Sequence, residues 1–180
     1  MAWVDPPDWV EGQVVTAAQL DQYITANTNY LKGLSDGLTF SAVRVTRSAA
    51  TSVATGSWTA VTFTAEGYDY GSWWSSGTNV VVPAGAIPSG YTSIALLCQV
   101  RTIFDANATG YRGIRILLNG SSEAAFTNAS FATDSSHVNG SAFIVVVAGD
   151  ILTVERYQNS GGALDASSCQ FDVARYMPVA

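Results

Sequence analysis

Polar and apolar positions alternate differently in the two ends of this chain. From residue 20 the apolar positions Leu20, Ile24, Leu31, Leu34 and Leu38, with Asn27 among them, are spaced 4, 3, 4, 3 and 4 residues apart. That is the seam of a heptad helix with one polar core position. Thr16 precedes it as an N-cap, ahead of Ala17-Ala18-Gln19. The seam is under three heptads, so such a helix is marginal alone. It either packs against copies of itself, with Asn27 setting the register, or lies as an amphipathic helix on its own domain. Ahead of it, Trp3 to Gly12 carries Pro6-Pro7 and is expected to be extended.

After residue 40 the helical period disappears. Runs of Val, Ile, Thr and aromatic residues bounded by Gly, Asn, Asp and Pro predict strands at 42–47, 58–64, 78–83, 92–104, 111–118, 123–133, 141–147, 151–158 and 168–177. Asn119-Gly120 and Ala148-Gly149-Asp150 are tight-turn signals. The connections between them, 105–110, 134–140 and 159–167, are longer and polar. In an up-and-down arrangement the tight turns fall at one end and the long loops at the other, where binding residues usually sit. Two strands are apolar on both faces, Ile94 to Val100 and Ala142 to Val147. A two-layer sandwich buries only one face of each strand. The second face needs a cover: another subunit, a loop, or the N-terminal segment.

The expected organisation is therefore an N-terminal arm and helix at 1–38 and a β domain at 39–180. Charged residues are only 12% of the 180-residue chain, and the net charge is −6. The surface is then mostly neutral polar, and with a single Lys it is a poor partner for nucleic acid phosphates. No apolar run is long enough to insert in a membrane. The opening Met-Ala-Trp-Val-Asp-Pro-Pro lacks the basic and apolar regions of a secretory signal. One His and two Cys leave no metal site of the His/Cys type. No Gly-x-Ser-x-Gly elbow and no Gly-rich phosphate cradle occurs, so neither a cofactor nor an enzymatic activity is expected. A glycan-degrading enzyme would need two facing carboxylates, and no motif points to them.

Candidate binding residues follow from the loops. Asp105, Asn107, Asp134, His137, Asn139, Asn159 and Asp165 carry groups suited to sugar hydroxyls, and Asp and Asn oxygens also suit Ca²⁺; ordinary turn chemistry accounts for Asn and Asp equally well. Tyr68, Tyr70, Trp73 and Trp74 flank Asp69 and could offer flat apolar faces to sugar rings, or close the sandwich. Trp3 and Trp9 could anchor the arm to a partner. Cys98 and Cys169 share the inward parity of their strands, either as a disulfide pair or as two inert thiols.

Phe63, Asp69, Trp74, Pro83, Gly90-Tyr91, Arg112 to Ile116, Asn119-Gly120, Gly149-Asp150 and Ser160-Gly161 follow one another in an order that resembles the tumour necrosis factor and complement globular-head superfamily. The resemblance covers about 58–177. It implies an antiparallel jelly-roll sandwich, mainly β, preceded by one short α-helix and forming a homotrimer through the sheet that holds the long central strand. The stretch Trp9 to Lys32 is similar to the start of tail-fibre and virion proteins of tailed bacteriophages. That similarity implies a virion protein made in the bacterial cytoplasm, whose arm docks to other virion proteins and whose head binds a host cell-surface glycan or envelope protein. A capsid decoration or head-fibre protein is the alternative with the same fold.

Overall fold

The structure, a computed structural model, describes residues 12, 14, 16–37, 40–132 and 134–179. The chain divides into two units, Met1–Thr39 and Phe40–Ala180.

In the first unit, α1 spans Ala17–Gly37. Thr16 starts it through a reciprocal cap. The Gln19 N–H donates to Thr16 Oγ1 at 3.3 Å, and the Thr16 N–H donates to Gln19 Oε1 at 3.0 Å. Two otherwise orphaned donors are thereby satisfied. Leu20 and Ile24 of the heptad seam are 51% and 57% exposed, and Asn27 is half-buried. The side chains of Leu31 and Leu34, and the whole of Trp3, Trp9 and Leu38, lie outside the described residues.

The second unit is a two-sheet antiparallel sandwich. Its strands are β1 (Ala42–Arg47), β2 (Thr51–Val53), β3 (Thr59–Ala60), β4 (Ala65–Tyr70), β5 (Val80–Val81), β6 (Ser93–Phe104), β7 (Asn107–Leu118), β8 (Ser122–Ala132), β9 (Ser136–Val146), β10 (Ile151–Gln158) and β11 (Leu164–Val179). One sheet runs β4-β1-β11-β6-β9, with β2 also on β11; the other runs β3-β10-β7-β8, with β5 also on β10. Neighbours in space are distant in sequence, as in β1 beside β11. This order is the wrapped arrangement of a jelly roll.

Alternation drives the packing. In β10, Leu152, Val154, Arg156 and Gln158 point inward and are buried, while Ile151, Thr153, Glu155 and Tyr157 are half-buried. In β6 and β11 the inward set is Ile94, Leu96, Cys98, Val100, Phe104 and Cys169, Phe171, Val173. Each fully buried aliphatic or aromatic side chain contributes about 1.5–3 kcal/mol relative to exposure.

The two tight turns form where the sequence places them. Asn119 and Gly120 both have positive φ, 53° and 72°, the pairing a type I′ hairpin needs. Asn119 also ties this turn to its neighbour: the Ile151 N–H donates to its Oδ1, and its Nδ2 donates to Asp150 Oδ1, both at 2.9 Å. The longer connections meet at the opposite end, but they are shorter than the sequence pattern suggests. They are 105–106, 133–135 and 159–163, because backbone pairing continues under polar side chains. Asn107 opens β7, His137 and Asn139 belong to β9, and Asp165 belongs to β11.

Several segments differ from expectation, among them 78–83, which pairs only over Val80–Val81. β2 and β4 were not predicted; β4 reads Ala-Glu-Gly-Tyr-Asp-Tyr, a sequence poor in branched residues that is held at a sheet edge by β1. The single strand expected at 58–64 pairs only over Thr59–Ala60, with a separate bridge from Phe63 to Gly77. Trp73, a candidate for a surface aromatic, is a core residue at 1% exposure. Its indole N–H donates to Ser41 Oγ at 2.9 Å, and Asp69 turns the chain inward by accepting the N–H groups of Trp73 and Trp74 at 2.9 and 3.0 Å.

Cys98 and Cys169 are free and buried. Cys98 lies opposite Val173 and Cys169 opposite Thr102, so four residues, roughly 13 Å of strand, separate them along the register. No disulfide can close that span.

Two expectations follow. Burial pushes the Cys98 thiol up to about 12 and also raises Cys169, so both are thiols at neutral pH. Native protein should leave them unreacted with a thiol reagent at pH 8, and denatured protein should give two equivalents. Gly110, with φ +69°, sits where an added Cβ would lie 2.3 Å from Asn159 Oδ1 and 2.4 Å from its carbonyl oxygen. Gly110→Ala should destabilise the domain by about 2 kcal/mol in chemical denaturation.

Candidate binding surfaces

Three surfaces of the jelly roll carry exposed chemistry. The first is the loop end. Asp105, Asp134 and Asp165 are exposed there, and the Asp105 N–H donates to the Asp165 carbonyl at 2.9 Å. Asn107 and Asn159 sit at the same end but serve the backbone. Asn107 Oδ1 accepts the Thr109 N–H at 2.9 Å, and Asn159 Oδ1 accepts the Tyr111 N–H at 2.6 Å. Beneath them the fully buried Arg112 donates Nη1 to the Thr109 carbonyl and Nη2 to the Asn107 carbonyl, at 2.8 and 2.9 Å. A guanidinium thus braces the irregular start of β7. His137 and Asn139 are exposed on β9, paired with Ile103 and Arg101 of β6, and so stand on a sheet face rather than in a loop.

The second surface was missed by the sequence reading. Trp58, Tyr157 and Tyr111 form a continuous aromatic row on the outer side of the β3-β10-β7-β8 sheet. Trp58 and Tyr157 centroids are 5.2 Å apart, and Tyr157 and Tyr111 are 5.8 Å apart and stacked. Tyr111 is 44% exposed. Arg115 lies over the Trp58 ring at 4.2 Å and is bound to Glu155 through Nε and Nη2, at 2.8 and 2.6 Å. Burial, and then the neighbouring Tyr111, push the Tyr157 hydroxyl above its ordinary pKa. The row begins beside the loop end, since the Asn159 N–H donates to the Tyr111 carbonyl. The outward parity of Tyr157 in β10 was legible; its neighbours across the sheet were not.

A smaller aromatic group flanks β4. Tyr68 and Tyr70 stack at 5.7 Å, Phe40 meets Tyr70 edge-on at 5.5 Å, and Arg44 lies 5.3 Å from the Tyr68 ring centre. Trp74 is half-buried, with its indole N–H on the Gly77 carbonyl. Of the four aromatics expected at a surface here, Tyr70 is exposed, Tyr68 and Trp74 are half-buried, and Trp73 is internal.

The third surface is the outer face of the β4-β1-β11-β6-β9 sheet, which changes character along its length. Two rows across β11, β6 and β9 are apolar: Met177, Ala95, Val145, then Ala174, Leu97, Phe143. Phe143 is 67% exposed, and Tyr176 packs edge-on against it at 5.3 Å. The next two rows are polar: Asp172, Gln99, Ser141, then Gln170, Arg101, Asn139. With Arg44 they line an open depression of about 670 Å³. Asp172 is its hub, accepting from Arg44 Nε at 2.5 Å and Gln170 Nε2 at 2.6 Å, while Arg101 Nη2 donates to Gln170 Oε1 at 2.8 Å. The bond to Asp172 raises the Arg44 pKa.

Among the described residues, no group of three or more His, Cys, Asp or Glu side chains is placed to hold a metal ion, and no helix is long and apolar enough to cross a membrane.

No family model matches the chain, and no curated protein matches it. Solved structures do. Murine APRIL at pH 5.0 superposes with a TM-score of 0.56 at 15% identity, over 76% of this chain and 99% of that one. The globular domain of zebrafish complement 1qA protein gives a TM-score of 0.51 at 13% identity, over 76% of this chain and 96% of that one. At such identities the likeness concerns backbone architecture: this chain carries a mainly β, antiparallel jelly roll of the tumour necrosis factor and complement globular-head type, preceded by one helix.

Proposed function

We propose that the chain is a non-enzymatic, homotrimeric adhesin of a phage virion, with a head that binds a host cell-surface glycan through the aromatic row Trp58–Tyr157–Tyr111 and the adjoining loop end. The observation that carries the binding half of this reading is the row itself. Three rings in line, half-open to solvent, present a flat apolar strip flanked by the Arg115–Glu155 pair. Such a strip suits the apolar faces of sugar rings, while polar groups at its rim take up hydroxyls. Asp105 and Asp165 extend the polar rim at the loop end.

Trimerisation is supported by the apolar rows of the β11-β6-β9 face. Phe143, Val145, Tyr176 and Met177 are each at least half exposed in the single chain, a contiguous patch of the kind that marks a subunit contact. The exposed Leu20 and Ile24 on α1 support the same reading. Packing these apolar rows against two other copies would leave the aromatic row, on the opposite sheet, and the loop end for the receptor. Three copies on one axis would raise avidity for a repeated surface glycan. The virion setting, with residues 1–19 docking to other virion proteins, rests on the similarity of Trp9 to Lys32 to tail-fibre proteins. Capsid decoration shares the trimer but has no use for an exposed aromatic strip.

Native mass spectrometry of the full chain should show a trimer, and Phe143→Glu should shift it to monomer with the β-rich circular dichroism spectrum retained. A monomeric native chain would overturn the assembly. On a glycan array the trimer should bind a discrete set of bacterial surface sugars, and Tyr157→Ala should weaken that binding at least about tenfold. Equal binding by native and Tyr157→Ala protein would move the receptor site elsewhere, and binding to isolated capsids in place of any glycan would favour decoration.

A further inference from the structure

Two arginines of the sandwich point inward at one edge without a carboxylate between them. Arg47 ends β1 on the parity of Val43 and Val45, and Arg156 stands in β10 between the buried Val154 and Gln158. β1 and β10 belong to opposite sheets. Between them is a partly enclosed pocket of about 100 Å³, lined by the two arginines, Thr51, Val53 and the segment from Thr59 to Thr62. Arg156 is 2% exposed, and its Nε and Nη2 are buried with no hydrogen-bond partner. Arg47 is held at the pocket wall by Thr51 Oγ1 and by the Thr62 carbonyl, the latter at 3.0 Å.

The charge balance of this pocket is incomplete. Arginine keeps its proton in any protein interior, and an uncompensated buried charge is strongly destabilising. Glu155, the acid beside Arg156 in sequence, is engaged by Arg115 on the outer face. The thiol of Cys169 interacts with Arg156, but burial pushes that thiol up, so it supplies no negative charge at neutral pH. Burial works most strongly against the Arg156 cation and the charge of Arg47 adds to it, while the hydrogen bond with the Cys169 sulfur favours it. Water could satisfy the N–H groups but would leave two positive charges facing each other.

We propose that the pocket between Arg47 and Arg156 binds a small inorganic anion of halide size, held by the two guanidinium groups between the sheets. Its volume takes an ion and a few waters, and its apolar wall at Val53 and Val61 excludes anything larger with its own hydration shell. The threonine hydroxyls of Thr51 and Thr59 are further donors within the lining. The bound ion would join β1 and β2 of one sheet to β3 and β10 of the other, independently of any receptor or oligomer.

The test is thermal unfolding of the full chain in sodium chloride or bromide against sodium gluconate at matched ionic strength. A bound halide should raise Tm by several degrees and level off as the site fills. Arg156→Met, which keeps the length of the side chain and removes its charge, should abolish that dependence. Identical Tm in halide and gluconate, or a halide response retained in Arg156→Met, would overturn the proposal. Should Arg156→Met fail to fold, crystals of the native chain grown in bromide decide the matter. An anomalous peak between Arg47 and Arg156 supports the site; water alone in the pocket, or bromide at the surface as an adventitious ion only, overturns it.

Discussion

The long register between β6 and β11 is the constraint on which the rest of the molecule depends. It runs from Phe104 opposite Ala166 to Ser93 opposite Val179; β1, β2 and β9 are each placed against one of the two, and β4 follows on β1. Because a strand shows alternate residues to opposite faces, this one register sends Ile94, Leu96, Cys98, Val100, Phe171 and Val173 into the core. The same register sends Leu97, Ala174 and Met177 outward. A slip of one residue would exchange the two sets. Both sets are apolar over the half of the sheet that ends at Ser93 and Val179, so burial of one face leaves the other unfinished.

That division organises the candidate functions spatially. One sheet offers an apolar half-face and then a polar depression centred on Asp172. The other sheet offers the aromatic row from Trp58 to Tyr111. The two surfaces are on opposite sides of the sandwich, so assembly through one does not consume the other. Between them, at the β1–β10 edge, Arg47 and Arg156 interrupt the apolar interior. Arg112 interrupts it at the start of β7. There both terminal nitrogens of the cation are met by the carbonyls of Asn107 and Thr109 and only Nε has no partner, whereas Arg156 has both Nε and Nη2 without one. The contrast separates an arginine built into the backbone frame from one that faces a pocket.

Much of the fold was legible because it rests on local rules. Thr16 is a cap residue ahead of a heptad run, Asn119-Gly120 supports positive φ at two successive positions, and the apolar runs within 92–104 and 141–147 read directly as strand. β4 was not legible, since Glu66, Gly67 and Asp69 have weak strand preference and are ordered only by pairing with β1. The loop residues were misplaced for a related reason. His137, Asn139 and Asp165 look like loop chemistry, yet a backbone ladder accepts any outward side chain.

The sequence by itself determined which residues could turn, cap, alternate and avoid water, because those properties depend on a residue and its near neighbours. It therefore set the helix start, most strands, and the excess of apolar faces. Only the tertiary structure decided that Trp73 turns inward beneath Asp69 and that Cys98 and Cys169 stand four residues apart. It alone brought Trp58, Tyr157 and Tyr111 into one row and set Arg47 across a pocket from Arg156. Each of these depends on which strands lie side by side and which sheets face each other. That choice is made by the burial of the whole core, and no local stretch of sequence encodes it.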